Sequence, residues 1–150
     1  MKRPFKDIAF VSVQFVLLFI FLFRISAIDF AVPGLIRYAG LALAIAGVII
    51  IALSIAKLRR SLSAFPTPTH TAMLIDTGVY RYMRHPIYTG ILAMALGWGL
   101  YSECTLRLLV FGSLLILFYF KASYEESLLS QKFSGYAAYR RRSGMFLPGL

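Results

Sequence analysis

One group of residues with the chemistry of a binding site lies in the middle of the chain. Arg84, His85 and Pro86 follow one another and stand between Tyr80 and Tyr88. Proline starts a helix well, because its ring fixes φ and its missing N–H would be unpaired in the first turn anyway. The free N–H groups of that turn can hold an anion such as a carboxylate, and Arg84 and His85 add side-chain donors. The same residue types are also ordinary in the basic, aromatic belt at a membrane surface, so both interpretations are open.

A second group of charged and aromatic residues follows the last apolar run of the sequence. It consists of Lys121, Glu125, Glu126, Leu129, Phe133, Tyr136 and Tyr139. Lys121 and Glu125 are four residues apart, so in a helix they share one face. A glutamate at the end of a membrane span is costly if it faces lipid, so we expect it to face water or a site. There it could accept hydrogen bonds from ribose hydroxyls or pair with a cation. The alternative is a solvated helix start, where acids are favoured.

The remainder of the chain is too apolar for a soluble domain of its size. Of the 150 residues, 59% are hydrophobic, and the mean hydropathy is +0.75. Long unbroken apolar runs predict membrane helices, whereas a transmembrane barrel would show short alternating segments. We therefore expect one all-α domain over residues 1–150, a polytopic membrane bundle of about four helices. The expected spans are residues 8–28, 36–57, 86–102 and 106–123.

The two polar segments between and after these spans, residues 58–85 and 124–150, would contain most of the two groups. The second segment is expected to include a helix lying in the membrane interface. The first apolar run resembles a signal peptide, but Arg24 stands where a cleavage site would lie, which favours a retained helix. In the second run small residues recur at spacings that allow close helix packing; they are Gly40, Ala42, Ala44, Ala46 and Gly47. The short link at residues 102–105 predicts an antiparallel hairpin of the last two spans.

The net charge of +10 allows two interpretations, nucleic-acid binding and the positive-inside bias of a membrane protein. The lysines and arginines flank apolar runs and form no stripe along a helix, so we expect a membrane protein with no nucleic-acid partner. They concentrate before the first span, between the second and third, and after the fourth. This alternation predicts that both termini, and both polar segments, are cytoplasmic.

Several kinds of site are not indicated by the sequence. Cys104 is the only cysteine, and His70 and His85 are the only histidines, so no metal-ligand set is apparent. The Gly97-Trp98-Gly99 run lies inside an apolar span with no preceding strand, which argues for helix packing and against a phosphate loop. We assign no role to His70.

Taken in this order, the two groups resemble the isoprenylcysteine carboxyl methyltransferase family and its phospholipid N-methyltransferase relatives. The matching text is Thr77-Gly78-Val79-Tyr80 and Arg84-His85-Pro86-Ile87-Tyr88-Thr89-Gly90, then Glu125-Glu126-x-x-Leu129-x-x-x-Phe133, Tyr136-x-x-Tyr139 and Phe146-Leu147-Pro148. The resemblance covers roughly residues 70–150, and the pairing of the motifs makes it specific. One departure is that the spacing from Phe133 to Tyr136 is one residue shorter than the family's.

The resemblance implies S-adenosylmethionine as the cofactor. It places Met73, Leu74, Ile75, Tyr80, His85, Pro86, Ile87, Tyr88 and Glu125 around that cofactor. We place Arg84 and Lys121 with the catalytic residues. Lys121 would position the acceptor, because it matches an arginine thought to face the acceptor carboxylate in eukaryotic members. Lysine keeps the charge but loses the bidentate fork. The alternative for Lys121 is a side chain that snorkels to the interface and ends the span.

The reaction implied by the resemblance is methyl transfer to a lipid-like or isoprenoid acceptor in the membrane, above all carboxyl O-methylation of the isoprenylcysteine type. Phospholipid N-methylation is the first alternative. A related family of NADPH-dependent membrane reductases shares Arg-His-Pro but typically has Asn after the proline and an acid after the glycine. Here those positions are Ile87 and Ile91. A non-enzymatic membrane partner protein would explain the spans but neither group. The oligomeric state is left open.

Overall fold

The computed structural model describes residues 4–24, 29–58, 63–68 and 73–149. Within these ranges the α-helices are α1 (Phe5–Phe21), α2 (Gly34–Leu58), α3 (Pro86–Tyr101), α4 (Thr105–Lys132) and α5 (Tyr136–Arg142). A short 3-10 helix, Gly78–Arg81, precedes α3. The described ranges contain isolated bridges but no β-strand, so the expected all-α class is confirmed. His70 lies outside them.

Among the described helices, α2 with 25 residues and α4 with 28 are long and apolar enough to cross a membrane. α1 and α3 have 17 and 16 residues, which gives about 24–26 Å of helix at ~1.5 Å per residue. The hydrocarbon core of a bilayer is about 30 Å thick. Length alone therefore does not make α1 or α3 a span, and the four-span arrangement stays a prediction.

Two helix ends differ from the expected bounds. α1 ends at Phe21 instead of near residue 28, and its last turn tightens as the next two amides bond to carbonyls three residues back. α4 runs on to Lys132 instead of ending near residue 123. No glycine or proline lies between residues 123 and 135, so the local sequence permits the extension. Lys121 and the two glutamates after it consequently lie inside one continuous helix.

Glycines hold α2 and α3 in close antiparallel contact. A Cβ on Gly47 would lie 2.5 Å from the carbonyl oxygen of Gly90. A Cβ on Gly97 would lie 2.4 Å from the carbonyl oxygen of Gly40. Both distances are too short for any side chain, so the backbones can approach this closely only because all four positions are glycine.

The small residues of α2 are divided between two faces of the helix. Those that face α3 are buried: Gly40, Ala44 and Gly47. Ala42 and Ala46 are exposed on the other side. The prediction of close packing is confirmed for the first set. Because the helices are antiparallel, this packing puts the beginning of α3 beside the end of α2.

The turn at residues 102–104 joins α3 and α4 into the expected antiparallel hairpin. Glu103 has a φ of 52°, and its carbonyl and carboxylate accept hydrogen bonds from the amides of Phe30 and Val32 at 3.3 and 3.1 Å. Inside the hairpin an apolar core forms from Leu92, Ala95, Val110, Leu114, Phe118 and Phe21 of α1. The hairpin aligns the first turn of α3 with the second half of α4.

The chain after α5 returns to the beginning of α3. The amides of Arg84 and His85 donate to the carbonyls of Gly144 and Met145 at 2.9 and 3.1 Å. The hydroxyl of Thr89 donates to the carbonyl of Phe146 at 2.7 Å. These bonds bring the two sequence groups together at one end of the molecule.

Candidate active site

A buried ion pair joins the two groups. Nε of Arg84 donates to Oε1 of Glu126 at 2.6 Å, and the two side chains are only 8% and 2% exposed. Nη1 of Arg84 also donates to the carbonyl oxygens of Arg140 (3.2 Å) and Ser143. Nε2 of His85 lies 3.3 Å from the same Glu126 oxygen. Arg84 therefore links α4 to the chain around α5, because most of its N–H donors bond to other groups of the protein.

The Glu125 carboxylate is oriented by residues of α3 but remains partly exposed. The hydroxyl of Tyr88 donates to its Oε2 at 2.9 Å, and Nδ1 of His85 lies 3.8 Å from that oxygen. The rings of His85 and Tyr88 stack with centroids 5.3 Å apart, and Tyr88 stacks on Phe118 at 4.6 Å. Because the Glu125 side chain is 26% exposed, the carboxylate can still accept a hydrogen bond from a ligand.

The first of two adjoining cavities encloses about 110 Å³. Its walls contain seven residues predicted for the site, namely Met73, Leu74, Ile75, Tyr80, Arg84, His85 and Glu125. Four further wall residues belong to the motifs that show the family resemblance but had no predicted role: Leu129, Phe133, Tyr136 and Tyr139. The remaining wall residues are Leu58, Ser63, Phe65, Pro66 and Pro68. Burial raises the pKa of Tyr80 and of Tyr136 well above the usual range, so both hydroxyls stay protonated.

The second cavity encloses about 420 Å³ and contains the remaining predicted residues, Pro86, Ile87, Tyr88 and Lys121. It shares six residues with the first cavity: Leu58, Ser63, Tyr80, Arg84, His85 and Glu125. The residues predicted around the cofactor are thus divided between two cavities that have a common wall.

Lys121 lies on the second cavity and is fully buried. Its Nζ donates to Oε1 of Gln14 at 2.6 Å and to the carbonyl oxygen of Ala64 at 2.9 Å, and stands 5.2 Å from the centroid of the Tyr88 ring. The side chain is enclosed by α1 and by residues 63–68, so the alternative of a lysine snorkelling to the interface is wrong. The sequence could not show this, because Gln14 and Lys121 are far apart in the chain.

Residues 63–68 form a roof over both cavities. The backbone amide of Thr67 donates to Oδ2 of Asp7 at 3.2 Å, and the carbonyl of Ala64 accepts from Lys121. Asp7 is fully buried. On the opposite side the Tyr139 hydroxyl donates to the Tyr80 carbonyl at 2.6 Å, and burial raises the pKa of Tyr139 to about 12.

Sequence reasoning missed the residues of α1 that reach the site, Asp7 and Gln14. A signal for both was present, because a polar residue in or beside a membrane-type apolar run is costly and usually functional. Of the two adjacent glutamates only Glu125 was assigned to the cofactor, and the structure gives the two glutamates different partners.

The all-helical fold, with two helices of membrane length and a composite cavity at one end, agrees with a membrane-associated methyltransferase, and comparison with known families shows that class. The family is phospholipid methyltransferase, whose model matches residues 35–135, about two thirds of the chain. The chain therefore belongs to this family. The matched region covers α2, α3 and α4 with every predicted site residue, whereas α1 and α5 lie outside it. No curated protein matches the chain.

Proposed function

We propose that the protein transfers a methyl group from S-adenosylmethionine to a lipid-like acceptor at the membrane interface. The observation that carries this proposal is the pair of cavities with a common wall. Six of the nine residues that the family resemblance assigns to the cofactor line the first cavity. The other three, Pro86, Ile87 and Tyr88, line the second cavity, which also contains the buried cation of Lys121. Two ligands bound there would meet at His85 and Glu125.

The residues of the first cavity suit S-adenosylmethionine chemically. Glu125 offers carboxylate oxygens to ribose hydroxyls, while Met73, Leu129 and Phe133 offer apolar surface to a purine ring. The hydroxyl of Tyr136 is buried without a hydrogen-bond partner among the described residues, which suits a polar atom of a ligand. Ligand sites usually enclose about 300–1,000 Å³, so the cofactor would extend from this cavity along the common wall.

When bound, S-adenosylmethionine supplies a methyl group on a positively charged sulfur. The protein would position the two reactants and exclude water from them, which can lower the activation barrier of methyl transfer by several kcal/mol. Tyr88 holds the Glu125 carboxylate in place, and the Arg84–Glu126 pair fixes the helix that carries it. Residues 63–68 line part of both cavities. The described residues therefore orient two ligands without needing a nucleophile of their own.

The buried charge of Lys121 supports an acceptor with an acidic head group, as in carboxyl methylation of the isoprenylcysteine type. Phospholipid N-methylation is the second candidate, which the description of the family favours. An amine must lose a proton before it attacks, and Glu125 on the common wall is placed to accept it. NADPH-dependent reduction is not supported, because the family is a methyltransferase family and Ile87 and Ile91 replace the reductase residues.

In the membrane, we propose that α1 and α3 span the bilayer together with α2 and α4, since all four are apolar and pack side by side. The basic flanks then place both termini and the polar segments, residues 58–85 and 124–150, in the cytoplasm. The cavities would open at the cytoplasmic interface, where a water-soluble cofactor and a membrane acceptor can meet.

A methyl-transfer assay tests the proposed function. Purified protein in phosphatidylcholine vesicles would be given methyl-labelled S-adenosylmethionine with either a farnesylated cysteine bearing a free carboxylate or phosphatidylethanolamine. We expect label in the farnesylated acceptor, and label in phosphatidylethanolamine would identify the second candidate. Glu125→Ala should abolish transfer, whereas Ser127→Ala, an exposed change on the same helix, should not. Absence of transfer to every lipid acceptor, by protein that is folded, would contradict the proposal.

A further inference from the structure

Gln14 contributes a polar group to the second cavity from a helix that lies outside the family match. It is the one amide side chain in α1, and it is 8% exposed. An ammonium group can only donate, so the atom of Gln14 that faces Lys121 at 2.6 Å must be the oxygen. The amide nitrogen consequently points away from Lys121. In the described part of the chain that nitrogen has no hydrogen-bond partner, and Gln14 lines the second cavity.

Lys121 has no directly bonded carboxylate among the described residues, although Glu125 and Asp7 lie near enough to act on its charge electrostatically. Both of its acceptors, the Gln14 amide and the Ala64 carbonyl, are uncharged. No carboxylate oxygen of the described residues comes within 4.0 Å of its Nζ. Glu125 shares the cavity wall, but Tyr88 holds its carboxylate, and Asp7 is bonded to the roof. A buried cation without a directly bonded counter-charge is costly, so this geometry favours an anion that enters the cavity.

We propose that Gln14 and Lys121 form an oxyanion-binding pair for the head group of the acceptor, which makes Gln14 a specificity-determining residue. This proposal rests on the proposed function and names the acceptor class within it. The ligand chemistry is a carboxylate or a phosphate ester carried on an apolar chain. The amide N–H and the ammonium N–H would donate to two oxygens of one group. An ammonium head group would find the amide oxygen already occupied and would face a positive charge.

The most informative variant is Gln14→Glu, because it keeps the size of the side chain and its contact with Lys121. It forms an ion pair inside the cavity, removes the net positive charge and removes the amide donor. If the oxyanion were bound elsewhere than at this pair, the variant would fold at least as well and would bind the acceptor unchanged. Gln14→Met removes the amide oxygen and the amide N–H without adding a charge, so it tests the amide while Lys121 keeps its charge, and it replaces Gln14→Glu if that protein does not fold. Ser12→Leu is the matched control, since it is an exposed polar-to-apolar change in the same helix.

Binding can be measured without turnover. The full chain in phosphatidylcholine nanodiscs would be titrated with dodecanoate, dodecyl phosphate and dodecylamine, and separately with S-adenosylmethionine. We expect the wild-type protein to prefer the oxyanions to dodecylamine. Gln14→Glu should weaken oxyanion binding by about tenfold or more, the usual effect of losing a charged hydrogen bond. Its affinity for S-adenosylmethionine should not change. A loss confined to dodecanoate identifies a carboxylate acceptor, and a loss confined to dodecyl phosphate identifies a phospholipid.

Three results would overturn the assignment of Gln14: equal oxyanion affinity in the wild-type and Gln14→Glu proteins, the same loss in Ser12→Leu, or a wild-type preference for dodecylamine. Failure of the proposed function gives a different result. In that case S-adenosylmethionine does not bind the wild-type protein, although the oxyanion probes still distinguish Gln14→Glu from Ser12→Leu.

Discussion

Neighbouring charged residues of the site have distinct tasks that depend on their partners. Glu125 and Glu126 are adjacent, yet one faces the common wall of the cavities and the other is sealed against Arg84. The motif predicted that such residues lie together but not which glutamate is buried. That assignment needs the partner 42 residues away in the chain, and the same holds for Gln14 and Lys121, which are separated by 107 residues. Spacing along a sequence reports only helical neighbours.

We expect Arg84 to act by stabilising the fold around the site. Arg84→Met would remove the buried partner of Glu126 and leave the largely exposed guanidinium of Arg140, 3.3 Å from Oε2, as its remaining ion-pair partner among arginines. Losing one partner of a buried polar group typically costs about 1–3 kcal/mol. The double variant Arg84→Met with Glu126→Leu should be more stable than Arg84→Met alone, because both charges are gone. Thermal unfolding in detergent measures both effects. If Arg84→Met kept its stability while its KM for the acceptor rose, Arg84 would instead be a residue that contacts the substrate.

At the scale of elements, the apolar runs and their small residues predicted the helices and the contact face of α2. They did not predict where α1 and α4 end. The end of α1 depends on tertiary contacts, including the Arg107 side chain, whose Nε lies 3.3 Å from the Phe21 carbonyl oxygen. The extension of α4 depends on partners for Lys121 and Glu126 that let charged residues remain inside the helix. Neither contact can be read from local propensity.

The close packing of α2 against α3 through glycines can be tested by substitution. Gly47→Ala should destabilise the protein by more than about 1 kcal/mol, because the added Cβ would meet backbone atoms of α3 at 2.5–2.6 Å. Gly112→Ala is the control, since nothing lies within 4 Å of a Cβ there. It should be neutral or stabilise α4 by up to about 1 kcal/mol. Equal unfolding temperatures for the two variants would show that the helices are not packed through these glycines.

At the scale of the whole molecule, the site exists because three separate parts of the chain meet at one end of the bundle. The α3–α4 hairpin brings the two motif groups together, the C-terminal segment closes one side, and α1 with residues 63–68 closes the other. Composition and charge predicted a membrane protein, and the family match agrees. The polar residues Asp7 and Gln14 were a signal that α1 contributes to a site, but the sequence did not show which residues of other elements they contact.

The proposed four-span topology can be tested by cysteine labelling. Single cysteines at positions 30, 65, 103 and 145, introduced with Cys104 replaced by alanine, report which side of the membrane each position faces. Four spans with cytoplasmic termini predict that positions 65 and 145 react with a membrane-impermeant reagent only from the cytoplasmic side. Positions 30 and 103 should react only from the opposite side. Labelling of position 65 from outside would contradict the orientation.

The central claim is that the first cavity and the common wall hold S-adenosylmethionine. Calorimetric titration of the purified protein in detergent with this cofactor tests it most directly, using wild type, His85→Ala, Glu125→Ala and the control Ser127→Ala. We expect S-adenosylmethionine to bind the wild-type and Ser127→Ala proteins, and to bind the two site variants about ten- to a hundredfold more weakly. No binding to folded wild-type protein, or equal affinity in all four proteins, would contradict it.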